Sequence, residues 1–199
     1  MLEIYLTGIQ RICTFQSGSL YKICNDNDMK VLYVYNFEHL DYQSDSVYHG
    51  LIDSGIEVYE SHYPSYMMQS FQDLNSKYGK GFTIGGKLNH TPRVESLEII
   101  VEKIRSHFYD YVIFGCIYTH FMYPTRSCLD YLDEVIKAYP KEKVHFIDGG
   151  DDSRNYGYAL GLYKHGTVWK SNLLDEGKGN SISFAIPESQ LITRIPVKE

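Results

Sequence analysis

The chain has 199 residues, with 19 Lys and Arg against 25 Asp and Glu, for a formal net charge of −6. Hydrophobic residues at 43% and charged residues at 22% exclude wholesale disorder, collagen and coiled coil, and the acidic balance excludes a nucleic-acid grip through phosphates, whose footprint is basic. Tyrosine is in excess, 19 residues against 9 Phe and 1 Trp, so many rings join an apolar body to a hydroxyl that needs a partner.

No apolar run approaches the roughly 20 residues that cross a bilayer, and the N-terminus lacks a signal-peptide layout. Cys13, Cys24, Cys116 and Cys128 show no metal-ligand spacing and read as free thiols, which points to a cytoplasmic protein.

Met29 to Asn36, a start-like Met-Lys followed by a β-rich apolar run, reads as the first buried strand. Residues 1–28 then form an N-terminal extension, either poorly tied down or adding an edge strand, and residues 29–199 form one domain. After a polar loop, Phe37 to Ser44, the spacing of Val47 and Leu51 predicts a helix over Asp45 to Ser54 with Gly55 beyond its end. Ile56 to Glu60 is a second strand. Residues 61–93 read as a short helix over Met67 to Leu74 followed, from Tyr78 to Arg93, by loop with one short strand. Thr91 and Pro92 predict a helix start, and Leu97, Ile100, Val101, Ile104 and Phe108 form its apolar stripe. Tyr111 to Ile117 is a third strand. Ser127 to Asp130 reads as a capping box, with Leu129, Leu132, Ile136 and Tyr139 facing inward and Pro140 ending the helix. Lys143 to Asp148 is the fourth strand, and Thr167 to Lys170 and Ile182 to Ile186 complete the sheet. This alternation predicts an α/β fold with a single Rossmann-like, open, mostly parallel sheet and helices on both faces.

Ligands of such sheets bind beyond the carboxyl ends of the strands, where the strand order reverses. That rule selects Asn36, His39, Asp41 and Asp45 after the first strand, Gly115, Cys116, Tyr118 and His120 after the third, and Asp148-Gly149-Gly150-Asp151-Asp152 after the fourth. Three carboxylates within five residues on a glycine-flexed turn suit a hard cation such as Mg²⁺, or sugar hydroxyls held by charge-assisted hydrogen bonds. Gly81 to Lys87 satisfies GxxxxGK, but Leu88 stands where the metal-binding hydroxyl of a P-loop belongs and no strand precedes it. No pair of the eight histidines has the i, i+4 spacing of a zinc helix, and no cofactor is called for.

MKVLYVYN, DYQSDSVYHGL, YDYVIFGCIY, VHFIDGGDD, TVWKSNL and ISFAIPE occur in an order that resembles the N-terminal, acceptor-side domain of bacterial GT-B-type glycosyltransferase-like proteins of surface-polysaccharide biosynthesis. The resemblance spans about residues 29–187. In that family the acidic segment often looks like IDGEDD and the later strand like YFKREL, whereas here Gly150 replaces an acid and Lys170 is all that remains of the basic strand. The resemblance implies a glycan or sugar acceptor bound by Asn36, Asp45, Gly115, Tyr118, Asp148 and Lys170, with His120, Asp151 and Asp152 in catalytic roles. It also implies a second nucleotide-sugar domain. With only twelve residues after Pro187, the chain is expected to be a fragment of a longer protein, to work with a separate nucleotide-sugar-binding protein, or to bind without catalysing. The competing readings are a Mg²⁺-dependent receiver-like or phosphoryl-transfer domain and a non-enzymatic interaction module. The Tyr-rich loops also leave room for a homo-oligomer.

Overall fold

The computed structural model describes residues 29–35, 41–71, 85–118, 129–149, 161–170 and 180–181. Their strands, β1 (Lys30–Val34), β2 (Glu57–Glu60), β3 (Tyr111–Phe114), β4 (Val144–Asp148), β5 (Thr167–Lys170) and β6 (Asn180–Ser181), form one six-stranded sheet in the order β2-β1-β3-β4-β5-β6. Every pairing is parallel. Parallel strands buried on both faces need near-continuous apolar runs. β1, β3 and β4 provide them, with Val31 to Val34, Val112 and Phe114 at no more than 0% exposure.

The chain steps from β1 outward to β2 and then back across β1 to β3. Right-handed crossovers in opposite directions must lie on opposite faces of the sheet. Helix α1 (Tyr42–Asp53) therefore covers one face and α2 (Leu97–Arg105) and α3 (Leu132–Ala138) the other. Side-chain alternation divides the core accordingly. Val31, Tyr33, Ile113 and Ile147 pack with Val47, Tyr48 and Leu51 of α1, while Leu32, Val112, Phe114 and Phe146 pack with Ile100 and Ile104 of α2 and Val135 of α3. The α/β sheet with helices on both faces is thus as the sequence predicts.

Element ends differ from the sequence reading for local reasons. Helix α1 starts earlier than Asp45 because Asp41 caps it, accepting Ser44 N–H at 2.7 Å. It ends as expected: Gly55 has φ of 75°, and the N–H groups of Gly55 and Ile56 reach back to the carbonyls of Ile52 and Leu51, a Schellman closure.

Helix α2 starts later than Thr91. Glu60, fully buried at the end of β2, accepts Arg93 N–H at 2.6 Å, Tyr48 O–H at 2.8 Å, and lies 3.2 Å from His90 Nε2. Val94 bridges to Glu60 along the open edge of β2. That segment is held extended until Ser96 caps the helix. The delay also turns Leu97 outward, 60% exposed, and leaves Ile100 and Ile104 as the buried stripe.

Helix α3 likewise starts at Leu132, after Tyr131 in a left-handed conformation (φ 67°), and buries Val135 and Tyr139. Tyr139 is driven extended (φ −107°, ψ 139°) by Pro140. β3 stops at Phe114 because Cys116 turns into positive φ (43°). The expected extension 1–28, the capping residues Ser127 and Cys128, and the strand 182–186 lie outside the described residues.

One polar pair sits inside the sheet. Trp169 Nε1–H donates to His145 Nδ1 at 3.1 Å, and burial pushes the imidazole pKa down to about 4, so the ring is neutral with its proton on Nε2.

The position of Leu97 is decisive for the α2 register. Phe146→Ala, deep in the α2/α3 face, is expected to cost about 3–5 kcal/mol, and Leu97→Ala within about 0.5 kcal/mol. Urea denaturation of both variants checks this, and a core-sized loss for Leu97→Ala would contradict the register.

Candidate functional site

The strand order reverses between β1 and β3, so the crevice of an open α/β sheet lies beyond the carboxyl ends of these strands. The residues that follow β1, β3 and β4 meet there. Asp41 caps α1 with Oδ1, and its Oδ2 accepts the Cys116 thiol at 3.1 Å. Gly149, just past β4, lies against both groups. A Cβ on it would overlap Asp41 Oδ2 and come within 2.8 Å of Cys116 Sγ.

Asp45, one turn along α1, is fully buried and accepts the Tyr66 phenol in a short hydrogen bond through Oδ1. Its Oδ2 has no hydrogen-bond partner. Burial, followed by the nearby Asp41 charge, holds the Asp45 carboxyl well above the ordinary carboxylate range, and the Tyr66 bond only partly opposes this. Phenols close the surroundings. Tyr33 O–H donates to the Ser44 carbonyl at 2.7 Å, and burial followed by the neighbouring carboxylates pushes Tyr33 and Tyr66 far above their usual range. Tyr35, also fully buried, is raised first by burial and then by Tyr66 and Asp45. These phenols stay protonated and act as donors. No Lys or Arg side chain touches Asp45 among the described residues.

The sequence-predicted residues separate into groups. Asp45 and Gly115 belong to this cluster: Gly115 donates its N–H to the Val34 carbonyl at 2.9 Å, and a Cβ there would press on the Tyr35 ring at 3.0 Å. Tyr118 follows in a helical turn, half-buried. Asp148 ends β4 on the opposite face, beside Tyr163, whose phenol it helps to raise after burial, so it does not share a pocket wall with Asp45. Lys170 ends β5 opposite Asp148 in register. Asn36, His120, Asp151 and Asp152, the catalytic set among them, lie outside the described residues.

Asp41 and Cys116 were in the selected loops, but nothing local distinguishes them. Tyr66 carried no sequence signal, because it reaches Asp45 across 21 residues. In the GxxxxGK segment, Gly86 N–H donates to the Tyr66 carbonyl at 2.7 Å and Lys87 N–H to the Met67 carbonyl at 3.1 Å. These amides brace the Tyr66 turn and are not free to cradle a phosphate.

No family model matches the chain, and no curated protein or solved structure matches it.

The packing at Gly149 predicts that Gly149→Ala, by displacing the Asp41 cap, costs about 1–3 kcal/mol, whereas Gly161→Ala, with nothing within 4 Å of the added Cβ, costs nothing measurable. Thermal denaturation of both variants checks the contrast. The Asp45 carboxyl gives a pH signature. Its folded pKa is raised, so its contribution is complete below the unfolded value of about 3.9 and is lost as pH rises through the folded value. Asp45→Asn keeps the acceptor for Tyr66 and cannot ionise, so it should gain stability relative to the native protein as pH rises from 5 to 8. Parallel stability curves over that range would show that Asp45 does not hold a proton in the fold.

Proposed function

We propose that the chain is a glycosyltransferase-like domain of cell-surface polysaccharide biosynthesis that binds a sugar or glycan acceptor at the β1/β3 crevice and acts with a second, nucleotide-sugar-binding domain or partner. The observation that carries this reading is the convergence of Asp41, Asp45 and Cys116 with the phenols of Tyr33, Tyr35 and Tyr66 beyond the strand reversal. Carboxyl and phenol groups are what hydroxyl-rich ligands need, since they accept and donate hydrogen bonds while ring faces cover apolar sugar edges. Phosphate-binding devices, by contrast, use basic side chains or free backbone amides at a helix start. Here the α1 cap is occupied by Asp41, and the Gly86 and Lys87 amides are taken by the carbonyls of Tyr66 and Met67.

On this reading Asp151, Asp152 and His120 extend the acceptor site along the carboxyl edge, and the transfer chemistry depends on a nucleotide-sugar held by the second domain or partner. The order β2-β1-β3-β4-β5 is shared with receiver-like domains. Among the described residues, however, no group of three or more His, Cys, Asp or Glu side chains gathers as a candidate metal cluster.

NMR titration of the isotope-labelled chain with monosaccharides, sugar-nucleotides and Mg²⁺ separates these readings. Sugars are expected to shift the amides of residues 44–45 and 115–118, with Asp45→Asn weakening that response. A response to Mg²⁺ alone, or none to any sugar, would overturn the assignment.

A further inference from the structure

The chain has a single tryptophan, Trp169 on β5, and its indole N–H donates to His145 Nδ1 on β4 at 3.1 Å. Both rings are buried, at 5% and 3% exposure. Tyr111 on β3 and Trp169 on β5 flank the imidazole, with ring centroids 5.8 and 5.9 Å away. His145 Nε2 is buried as well and has no hydrogen-bond partner among the described residues. The titratable groups of the elements around this ring are engaged elsewhere. Lys143 stands over the Tyr111 ring, Asp45 and Tyr48 of α1 bond Tyr66 and Glu60, and His49 of α1 pairs with Asp53. Asp148, at the end of β4, lies on the other face.

Only one protonation state of His145 fits this setting. The neutral ring accepts at Nδ1 and carries its proton on Nε2. A second proton would sit on Nδ1, donor against donor with the indole N–H, and would place a charge among buried rings without a counter-ion. Burial alone holds the imidazole down to about 4, against roughly 6.5 in an open chain. The open form therefore binds the proton more readily, so the pairing is fully favoured above about pH 6.5 and is lost as pH falls toward the folded value. We propose that the His145–Trp169 pair is an acid-sensitive clasp: proton uptake at His145 Nδ1 breaks the indole bond and releases β5 from β4 ahead of the rest of the sheet.

β5 is the strand placed to leave, because beyond it the described sheet has only the two-residue β6, and elements near a sheet margin open at lower free energy than central ones. Lys170 follows Trp169 and ends β5 in register with Asp148, so release of β5 also withdraws Lys170 from the carboxyl edge. The clasp stands apart from the sugar reading, and no sugar enters its test. The raised Asp45 carboxyl gives global stability the opposite slope with pH, so the clasp is read by a probe local to β5.

Amide hydrogen exchange of the full chain by NMR, corrected for intrinsic rates, supplies that probe, with Trp169 fluorescence alongside. Between pH 7 and 5 the protection of residues 167–170 is expected to fall about tenfold or more and to lie below that of residues 31–34, while Trp169 emission shifts to the red before the far-ultraviolet circular dichroism changes. His145→Asn, which offers Trp169 an acceptor and cannot take the proton, should remove the pH dependence from residues 167–170. Unchanged protection of β5 down to pH 5, protection equal to that of β1 throughout, or a pH-dependent opening that persists in His145→Asn would each overturn the proposal. If His145→Asn does not fold, the ring ¹⁵N shifts of His145 in the native chain decide: its protonation must track the opening of β5, and an opening without it overturns the clasp.

Discussion

Asp41 holds the candidate site together. Its Oδ1 closes the first turn of α1, its Oδ2 takes the Cys116 thiol that follows β3, and its position requires that Gly149, after β4, have no side chain. One carboxylate thereby fixes the spacing of the segments that leave three neighbouring strands. Hydrogen bonds to an ionised acceptor are the stronger kind, and in a buried setting they are costly to leave unmade. This explains why a non-glycine residue, Cys116, is tolerated at positive φ. The strand-to-turn geometry there is over-determined by Asp41 on one side and by the Gly115 N–H bond to Val34 on the other.

The second constraint is the tyrosine excess, whose meaning the structure sharpens. Tyr33, Tyr35, Tyr48 and Tyr66 are at most 1% exposed. They lie on the α1 face, and three of them turn their hydroxyls to a carbonyl or carboxylate there: Tyr33 to Ser44, Tyr48 to Glu60, Tyr66 to Asp45. Phenylalanine would fill the same volume but strand those acceptors. The α2/α3 face is different in kind. There Phe114 and Phe146 stack at 5.1 Å between strands, and purely aliphatic residues do most of the remaining packing. The sheet thus has one face packed mainly by aliphatic side chains, with Asp148 at the end of β4, and one that carries the buried phenols with Asp41 and Asp45.

The sheet was legible because its signals are local. Runs such as Val31 to Val34 and Val144 to Ile147 declare buried parallel strands, and the Gly55 and Pro140 stops act within a turn of themselves. What could not be read depends on contacts distant in sequence. The α2 start was misplaced because Glu60 captures Arg93 N–H across 33 residues, a bond that outweighs the local Thr91-Pro92 start signal. The site was half legible for the same reason. The topology rule picked out loops that meet in the structure, Asp41, Asp45 and Cys116 among their residues, but it treated all acids at the carboxyl edge as equivalent. Strand alternation then sends Asp148 to the other face, and Tyr66 enters from a turn that no periodicity marks.

The asymmetry between faces bears on how a ligand would be read. On the proposed reading, a sugar at the α1 face would meet groups that are already committed: Asp41 to the helix and the thiol, Tyr33 to Ser44, Tyr66 to Asp45. Their geometry is fixed by those bonds, so they would shape the crevice without reorganising. The exception is Asp45, where one oxygen is held by Tyr66 and the other is open. Selectivity at a buried site is greatest where a polar atom is otherwise unsatisfied, because a ligand that lacks the complementary group leaves the penalty in place while one that has it removes it. On the proposed sugar reading, discrimination would therefore fall on the Asp45 carboxyl, which the surrounding phenols hold in place.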